Sequence, residues 1–308
     1  MGGRPAGNSS TVFSPAKLNL FLAVTGRRAD GYHDIVSVAA PVTWGDSLTA
    51  RVTGGDLSLE CTDPRVPVDD GNLVIKAARL FREATGWNRG VAFSLEKRIP
   101  MGAGLGGGSS NAVAALRALN TLAGDPLGAG ELAALSSRVG SDCPLFFHGG
   151  PVAVRGRGER VEPLDPAAAA RLSGRRVAIF KPGFAIGTAE AYAALSGKGD
   201  GALEAEAAEA RLAGWIGEPS APAENLLFNS FEGAALRKYP ALPVLLAALR
   251  EGLGFSALMT GSGSACFAVL GAEAGHGIAE LRGAVSSRWG PASLVVEAAI
   301  GPQRGKFD

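Results

Sequence analysis

The most informative part of the chain is residues 100–111, which read Pro100-Met101-Gly102-Ala103-Gly104-Leu105-Gly106-Gly107-Gly108-Ser109-Ser110-Asn111. Five of the seven residues from Gly102 to Gly108 are glycine, and a helical pattern starts directly after them. A loop with so few side chains lets several backbone N–H groups point at one anion, and the dipole of the following helix adds positive potential. The sequence therefore predicts a phosphate-binding loop.

Three other interpretations of this loop compete. Gly102, Gly104 and Gly107 satisfy the dinucleotide-binding pattern G-x-G-x-x-G, and Asp125 lies about 20 residues downstream, as that pattern requires. Asp125, however, stands in a Gly-Asp-Pro turn between two helical patterns rather than at a strand end. A Walker A loop is excluded because no Lys-Ser/Thr pair follows the glycines. The third interpretation is a turn that serves packing alone. It is disfavoured because each of the five glycines costs conformational entropy on folding.

Composition limits the classes of function. The chain has 308 residues, 46% of them hydrophobic and 19% charged, which suits one large or two medium globular domains. A net charge of +1 gives no overall field for nucleic acid or a membrane surface. The three cysteines are dispersed without a CxxC pair, which disfavours a disulfide framework and a zinc site. Residues 1–10 lack the apolar core that a signal peptide has, so none is expected, and the chain has no stretch of ~20 uninterrupted apolar residues. We expect a cytoplasmic protein without nucleic-acid or membrane partners.

The order of elements indicates the fold class. Residues 1–10 resemble a disordered tail, and a boundary is expected near Asp165–Gly174, which gives predicted domains of 1–168 and 169–308. Mixed elements without strict strand–helix alternation predict an α+β fold. Strands are predicted at residues 12–25, 35–42, 47–52, 57–61, 91–95, 152–161 (an irregular pair), 177–180 and 257–259. Helices are predicted at residues 72–84, 111–122, 131–139, 202–215 and 242–251.

Lys17 and Asp142 are candidates for catalysis. Lys17 and Asn19 are polar residues on an otherwise apolar alternating strand, which indicates either an edge strand with a solvated face or a functional pair. Asp142 follows Gly140 and precedes Pro144, so it could simply cap the next short helix. Together they suit phosphoryl transfer. The carboxylate can accept a proton from an attacking hydroxyl, while the ammonium keeps it ionised and offsets developing charge.

Three segments in order resemble the motifs of the GHMP kinases, a family named after galactokinase, homoserine, mevalonate and phosphomevalonate kinases. They are Ser14–Leu22, the glycine loop, and Thr260-Gly-Ser-Gly-Ser-Ala-Cys266. The segment Gly26-Arg-Arg-Ala-Asp-Gly-Tyr-His33 is similar to the branch of the family that phosphorylates the 2-hydroxyl of a cytidine diphosphate-linked methylerythritol, in non-mevalonate isoprenoid synthesis. The likeness covers roughly Ser14 to Phe267.

The resemblance implies a two-domain GHMP kinase fold, with a ribosomal-protein-S5-like N-terminal domain and a ferredoxin-like C-terminal domain. It also implies ATP and Mg²⁺, a small-molecule substrate, and a monomer or weak homodimer. No acidic metal ligand is obvious, so Mg²⁺ is expected to be bound mainly through ATP oxygens and water. Alternatives are a homoserine- or mevalonate-type kinase, a non-catalytic binding protein on the same scaffold, and a dinucleotide-dependent oxidoreductase.

Roles for individual residues also follow from the resemblance. Lys17 and Asp142 match the catalytic positions, Tyr32 would stack on cytosine, His33 would recognise its edge, and Tyr192 would close the sandwich, with Phe184 as an alternative. The implied ATP-binding residues are the loop from Pro100 to Ser110 together with Asn72 and Lys97. Ser110 is also a candidate Mg²⁺ ligand. The implied substrate-binding residues are Asn19, Tyr32, His33, Thr188, Tyr192, Gly261, Ser262 and Gly263.

Structural explanations exist for most of these positions. Hairpin packing could account for Tyr32 and His33, a helix start for Asn72, and strand-end packing for Lys97. Ser109 and Ser110 could cap the helix that follows the loop. The resemblance implies that residues 261–263 approach the substrate diphosphate or support the phosphate loop, but they could also form an ordinary strand-to-strand turn.

Overall fold

The computed structural model describes residues 7–195, 203–271 and 277–301 of the chain. The strands in these residues are β1 (Ser9–Arg27), β2 (His33–Thr53), β3 (Leu57–Cys61), β4 (Gly90–Glu96), β5 (Val152–Gly156), β6 (Arg160–Pro163), β7 (Arg176–Lys181), β8 (Phe228–Asn229), β9 (Ser256–Met259), β10 (Cys266–Val269) and β11 (Leu294–Ala299). The α-helices are α1 (Leu73–Thr85), α2 (Gly107–Leu122), α3 (Ala129–Ser137), α4 (Pro166–Leu172), α5 (Thr188–Ala194), α6 (Ala205–Gly217), α7 (Ser230–Lys238), α8 (Ala241–Ala247) and α9 (Ile278–Trp289). The mixture of elements confirms the α+β class.

The larger sheet has the strand order β3-β4-β2-β1-β8, with β5 added to β2 and β6 added to β5. The long strand β2 pairs with two different strands on the same side. Residues 35–39 pair with β5, and residues 47–53 pair with β4. The sequence predicted two strands here, interrupted near Gly45. The strand in fact continues, and Gly45 marks a close crossing: a Cβ on it would lie 2.2 Å from the Ser14 carbonyl oxygen.

Strand β1 lies inside the larger sheet, between β2 and β8. Lys17 and Asn19 are only 6% and 7% exposed, so of the two interpretations the edge strand with a solvated face is wrong. Register shifts fall on either side of these two residues, which breaks the simple alternation of the strand. The predicted disordered tail is also wrong in part, because Ser9 and Ser10 already pair with β2. Residues 1–6 lie outside the described part.

The smaller sheet is antiparallel with the order β11-β7-β10-β9. A shared hydrophobic core joins the two sheets, and it includes Leu18 and Leu20 of β1, Ile179 of β7 and Phe267 of β10. A backbone contact also joins the two halves of the chain, because Val42 of β2 forms a β-bridge with Ile300, the residue after β11. The predicted boundary between residues 168 and 169 falls inside α4, and the domain bounds of 1–168 and 169–308 remain a prediction.

Most predicted helices appear with shifted ends. The helix predicted at 202–215 is α6 and begins at Ala205, and residue 202 lies outside the described part. The helix predicted at 242–251 is α8 followed by one π-helical turn, Ala248–Gly252. Among the described residues, no helix combines the length and apolar character that crossing a membrane requires.

Candidate active site

A cleft with a volume of about 450 Å³ is lined by both halves of the chain and contains most of the residues singled out by sequence. The predicted site residues that line it are Lys17, Asn19, Asn72, Lys97, Pro100, Met101, Gly102, Ala103, Gly104, Leu105, Gly106, Gly107, Gly108, Ser109, Asp142, Thr188, Tyr192, Gly261 and Ser262. Four predicted residues are not part of this lining, namely Ser110, Gly263, Tyr32 and His33.

The glycine loop connects β4 to α2 and presents a helix N-terminus to the cleft. Gly102, Gly104 and Gly106 have φ angles of +59°, +76° and +70°, a conformation that side chains rarely adopt. The N–H of Ser110 donates to the carbonyl of Gly106 at 3.0 Å and closes the first turn of the helix. The N–H groups of the preceding residues in α2 therefore have no carbonyl of the helix to bind and can bind an anion instead.

Close neighbours also require glycine in the loop. A Cβ on Gly104 would lie 2.4 Å from the carbonyl oxygen of Thr260, and one on Gly106 would lie 2.9 Å from Cγ of Lys17. A Cβ on Gly107 would lie 2.9 Å from Nζ of Lys97. The loop is thus supported by the Thr260–Ser264 turn on one side, and two lysines approach it although neither occupies the Walker position.

Lys17 is held in place by its neighbours on the same sheet. Its ammonium donates a hydrogen bond to Oδ1 of Asn19, and the amide nitrogen of Asn19 donates to Oγ of Ser37 at 2.9 Å. The backbone N–H of Asn19 donates to the Thr260 hydroxyl at 2.8 Å. Burial lowers the pKa of Lys17, while the negative charge of Asp142 opposes this shift. The side chain is therefore oriented, and its proton is held less tightly than that of an exposed lysine.

Asp142 lies in a turn immediately before the 3₁₀ helix Pro144–Phe147. The N-cap of that helix is Cys143, which makes no side-chain capping bond, so the prediction that Asp142 caps the helix is wrong. Within the described residues the Asp142 carboxylate accepts no hydrogen bond and forms no ion pair, although its charge acts on both Lys17 and Tyr192. It is exposed and free to accept a proton from a bound hydroxyl.

A buried carboxylate that sequence reasoning missed supports the loop. Asp46 is fully buried and accepts hydrogen bonds from Nζ of Lys97 at 2.5 Å and from the amide of Asn111 at 2.8 Å. The backbone N–H groups of Arg98 and Ile99 donate to its other oxygen at 2.7 Å. Asp46 thereby fixes the residues just before the glycine loop and the first turn of α2. From the sequence, Gly45-Asp46 looks like a turn between two predicted strands, which gave little indication of this role.

Asn72 combines two roles. Its Oδ1 accepts from the N–H of Val74 at 2.9 Å, which makes it the N-cap of α1, and its amide donates to the Pro67 carbonyl at 2.6 Å. It also lines the cleft with Pro67 and Val66, so the helix-start explanation does not exclude a place in the site.

Aromatic side chains gather at Tyr32 and His33. The His33 ring stacks on Tyr192 with 4.8 Å between ring centroids, and Phe231 packs edge-on against Tyr192 at 4.8 Å. Tyr32 is 57% exposed. Phe184 stacks on Tyr239 and does not line the cleft, whereas Tyr192 does. Of these two aromatic side chains, Tyr192 is therefore the one that can contact a base bound in the cleft.

The titration of these groups reflects their burial. Burial raises the pKa of Tyr192 to about 12, and the charge of Asp142 adds to this shift. Burial, and then the charge of Arg27, lowers the pKa of His33, so its ring is neutral at pH 7 and offers one donor and one acceptor.

Comparisons with known proteins agree with one another. The family model described as the GHMP kinases N terminal domain matches residues 72–150, and the model described as GHMP kinases C terminal matches residues 205–285. The 4-diphosphocytidyl-2-C-methyl-D-erythritol kinase of Protochlamydia amoebophila is 40% identical over 85% of this chain and 84% of that protein. The chain belongs to the GHMP kinase family.

Solved structures extend this result. A crystal structure of 4-(cytidine 5'-diphospho)-2C-methyl-D-erythritol kinase matches with a TM-score of 0.74 and 34% identity, over 96% of this chain and 100% of that one. Homoserine kinase from Cytophaga hutchinsonii matches with a TM-score of 0.76 over 98% of both chains, but at 19% identity it shows a shared fold alone. The predicted two-domain GHMP kinase fold is confirmed.

The dinucleotide-binding interpretation is wrong for this GHMP kinase. Asp125 lies in the turn after α2 with a φ of +56°, and its carboxylate accepts from the amide of Asn120 at 3.2 Å. The chain continues from there into α3 rather than into the second strand that such a fold needs.

The structure does not support the prediction that Ser110 of this GHMP kinase is a Mg²⁺ ligand. Its side chain is 1% exposed and its hydroxyl accepts from Ser14 at 2.8 Å, away from the cleft lining. Among the described residues, no group of three or more His, Cys, Asp or Glu side chains could hold a metal ion. The site fits a nucleotide that carries Mg²⁺ on its own phosphate oxygens, with Asp142 and Ser109 facing the cleft.

Proposed function

We propose that this GHMP kinase transfers the γ-phosphoryl group of ATP to the 2-hydroxyl of 4-diphosphocytidyl-2-C-methyl-D-erythritol, giving the 2-phosphate and ADP. The observation that carries the proposal is the free carboxylate of Asp142, which lies in the same cleft as buried Lys17 and the open N-terminus of α2. The names of relatives that are 37% to 43% identical support the choice of substrate.

The arrangement of neighbours gives the cleft two ends. Gly106 lies next to the Lys17 side chain, the charges of Lys17 and Asp142 interact, and the charge of Asp142 also acts on Tyr192, which stacks on His33. The nucleotide phosphates would bind at the glycine loop. The cytosine would bind at the opposite end, near Tyr32, His33 and Tyr192, which we call the aromatic end. The reacting hydroxyl then belongs between them, at Asp142.

The chemistry assigned to each residue follows. Asp142 accepts the proton of the 2-hydroxyl as its oxygen bonds to the γ-phosphorus and the bond from that phosphorus to the ADP oxygen breaks. The ammonium of Lys17 offsets the charge that develops on the transferred group. Mg²⁺ carried by the nucleotide, with Ser109 and Asp142 lining the same cleft, would supply further charge neutralisation. Asn19 fixes the direction of the lysine, and neutral His33 can both donate to and accept from a base edge.

An ADP-release assay tests the proposal across candidate acceptors. The enzyme is expected to release ADP at a substantial rate with 4-diphosphocytidyl-2-C-methyl-D-erythritol and at background with homoserine or mevalonate. Turnover with a non-cytidylated alcohol instead would refute the substrate, and tight nucleotide binding without turnover of any acceptor would favour a binding protein. The Asp142→Asn variant serves as the inactive control.

A further inference from the structure

One cation of the cleft has no role so far. Arg157 lies in the turn of the β5–β6 hairpin, between Gly156 with φ +68° and Gly158 with φ +114°. Its backbone N–H donates to the Glu159 carboxylate at 2.6 Å, which fixes the turn. Its guanidinium lies over the ring of Tyr32, 4.9 Å from the centroid, and the residue lines the cleft.

Among the described residues, the side chain of Arg157 differs from the other cations of the cleft in having no hydrogen-bonded carboxylate or amide partner. Lys17 donates to Asn19 and Lys97 is paired with Asp46. In the described part of the chain, the Arg157 guanidinium forms no ion pair. Its positive charge does interact with the negative charge of Asp30. A guanidinium that is oriented by an aromatic ring and whose N–H groups are not yet hydrogen-bonded is suited to bind a phosphate group.

Its position lies between the reacting carboxylate and the aromatic end. A Cβ on Gly158, the next residue, would lie 3.6 Å from Oδ1 of Asp142, while Arg157 itself covers Tyr32. A substrate that stacks a base near Tyr32 and brings its hydroxyl to Asp142 has to place the diphosphate between these two points.

We infer that Arg157 binds the diphosphate of the acceptor substrate and is held ready for it by the ring of Tyr32. This inference rests on the proposed function, since it requires a nucleoside diphosphate-linked acceptor. Arg157 is thus a substrate-binding residue that distinguishes phosphorylated from unphosphorylated cytidine ligands.

Calorimetry with cytidine and cytidine diphosphate tests the inference. For the wild-type enzyme we expect cytidine diphosphate to bind more tightly than cytidine. Arg157→Met should weaken cytidine diphosphate roughly tenfold or more and leave cytidine unchanged, while Arg157→Lys should retain part of the difference. Arg160→Met, which removes an exposed arginine outside the cleft lining on the same hairpin, is the matched control and should behave as wild type. In turnover, Arg157→Met should raise the KM of the acceptor more than it lowers kcat, with the KM of ATP unchanged.

Two results would overturn the inference and separate it from the proposed function. If wild type binds cytidine diphosphate and Arg157→Met binds it equally well, or weakens cytidine by the same factor, the arginine does not bind the diphosphate although the substrate stands. If wild type binds neither cytidine ligand and phosphorylates another alcohol, the proposed function is wrong and the inference falls with it.

Discussion

The carbonyl oxygen of Thr260 lies only 2.4 Å from the position that a Cβ on Gly104 would occupy. Thr260 precedes the second glycine turn, and the N–H of Ala265 in turn donates to the Ala103 carbonyl at 3.1 Å. The phosphate loop is therefore held against the C-terminal half of the chain by backbone atoms, which cannot move aside as a flexible side chain could.

Gly104→Ala should destabilise the protein, because it combines this backbone clash with a φ of +76° that costs roughly 1–2 kcal/mol for other residues. We expect a clear drop in the urea midpoint and loss of ATP binding. Gly108→Ala is the matched control: its Cβ would meet only Cδ1 of Leu73 at 3.5 Å, at a helical position that favours alanine. Equal stability of the two variants would show that the contact with Thr260 is not rigid.

Asp142→Asn should reduce kcat by about 10²- to 10⁴-fold, the usual contribution of a general base. The carboxylate accepts no hydrogen bond within the described residues, so the near-isosteric amide should leave folding and ATP affinity almost unchanged. An ADP-release assay and calorimetric titration with ATP measure the two effects. Near-normal kcat in this variant would remove Asp142 from the role of base.

The pH profile should report Lys17. Because burial lowers its pKa, the ammonium is lost as pH rises through a value below the ordinary lysine value of about 10.4. The kcat/KM for the acceptor should therefore fall on an alkaline limb below that pH. Lys17→Met should remove the limb together with most of kcat, and a limb that persists in this variant would have another origin.

Asp142 also affects the titration of that lysine. Its negative charge raises the pKa of Lys17, so Asp142→Asn should lower this pKa further. NMR titration of the lysine side chain, which needs no turnover, measures the change, and an upward shift would contradict the electrostatic contact between the two residues.

Asp46→Asn should cost about 3–5 kcal/mol of unfolding free energy, since it leaves the buried ammonium of Lys97 without its counter-charge. The comparison is Asp70→Asn, which breaks the exposed ion pair with Arg79 and should cost less than about 1 kcal/mol. Urea unfolding measures both. Similar losses in the two variants would mean that Asp46 is not the anchor of the segment before the loop. The KM for ATP should also rise in Asp46→Asn, because Lys97 lines the cleft.

Much of the site could be predicted because its residues carry local signals. The glycines imply a loop whatever surrounds them, and Lys17 and Asn19 stand out on an apolar strand. Asp46 gave a weaker signal, since Gly45-Asp46 looks like a turn between two strands. Its importance depends on Lys97 and Asn111, which are distant in sequence and meet it only after the sheet has formed.

The aromatic end shows the limit of such reasoning. Tyr192 and Phe184 are both aromatic residues of one segment, and no local pattern distinguishes them. Packing does: Phe184 stacks on Tyr239, while Tyr192 is directed to His33 and Phe231. Arg157 was overlooked for the same reason, because an arginine in a tight turn usually faces solvent and its contact with Tyr32 is a tertiary one.

The pairing of β1 with β8 has a consequence for biosynthesis. Phe21 and Leu22 pair with Phe228 and Asn229, and Val42 bridges to Ile300, so the sheet that carries Lys17 is completed by the last third of the chain. A chain emerges from the ribosome with its N-terminus first, and an unpaired strand edge is a site of misassembly. The strand with the reactive lysine is therefore synthesised before the strand β8 that completes its pairing, and its edge stays open until the last third of the chain has followed.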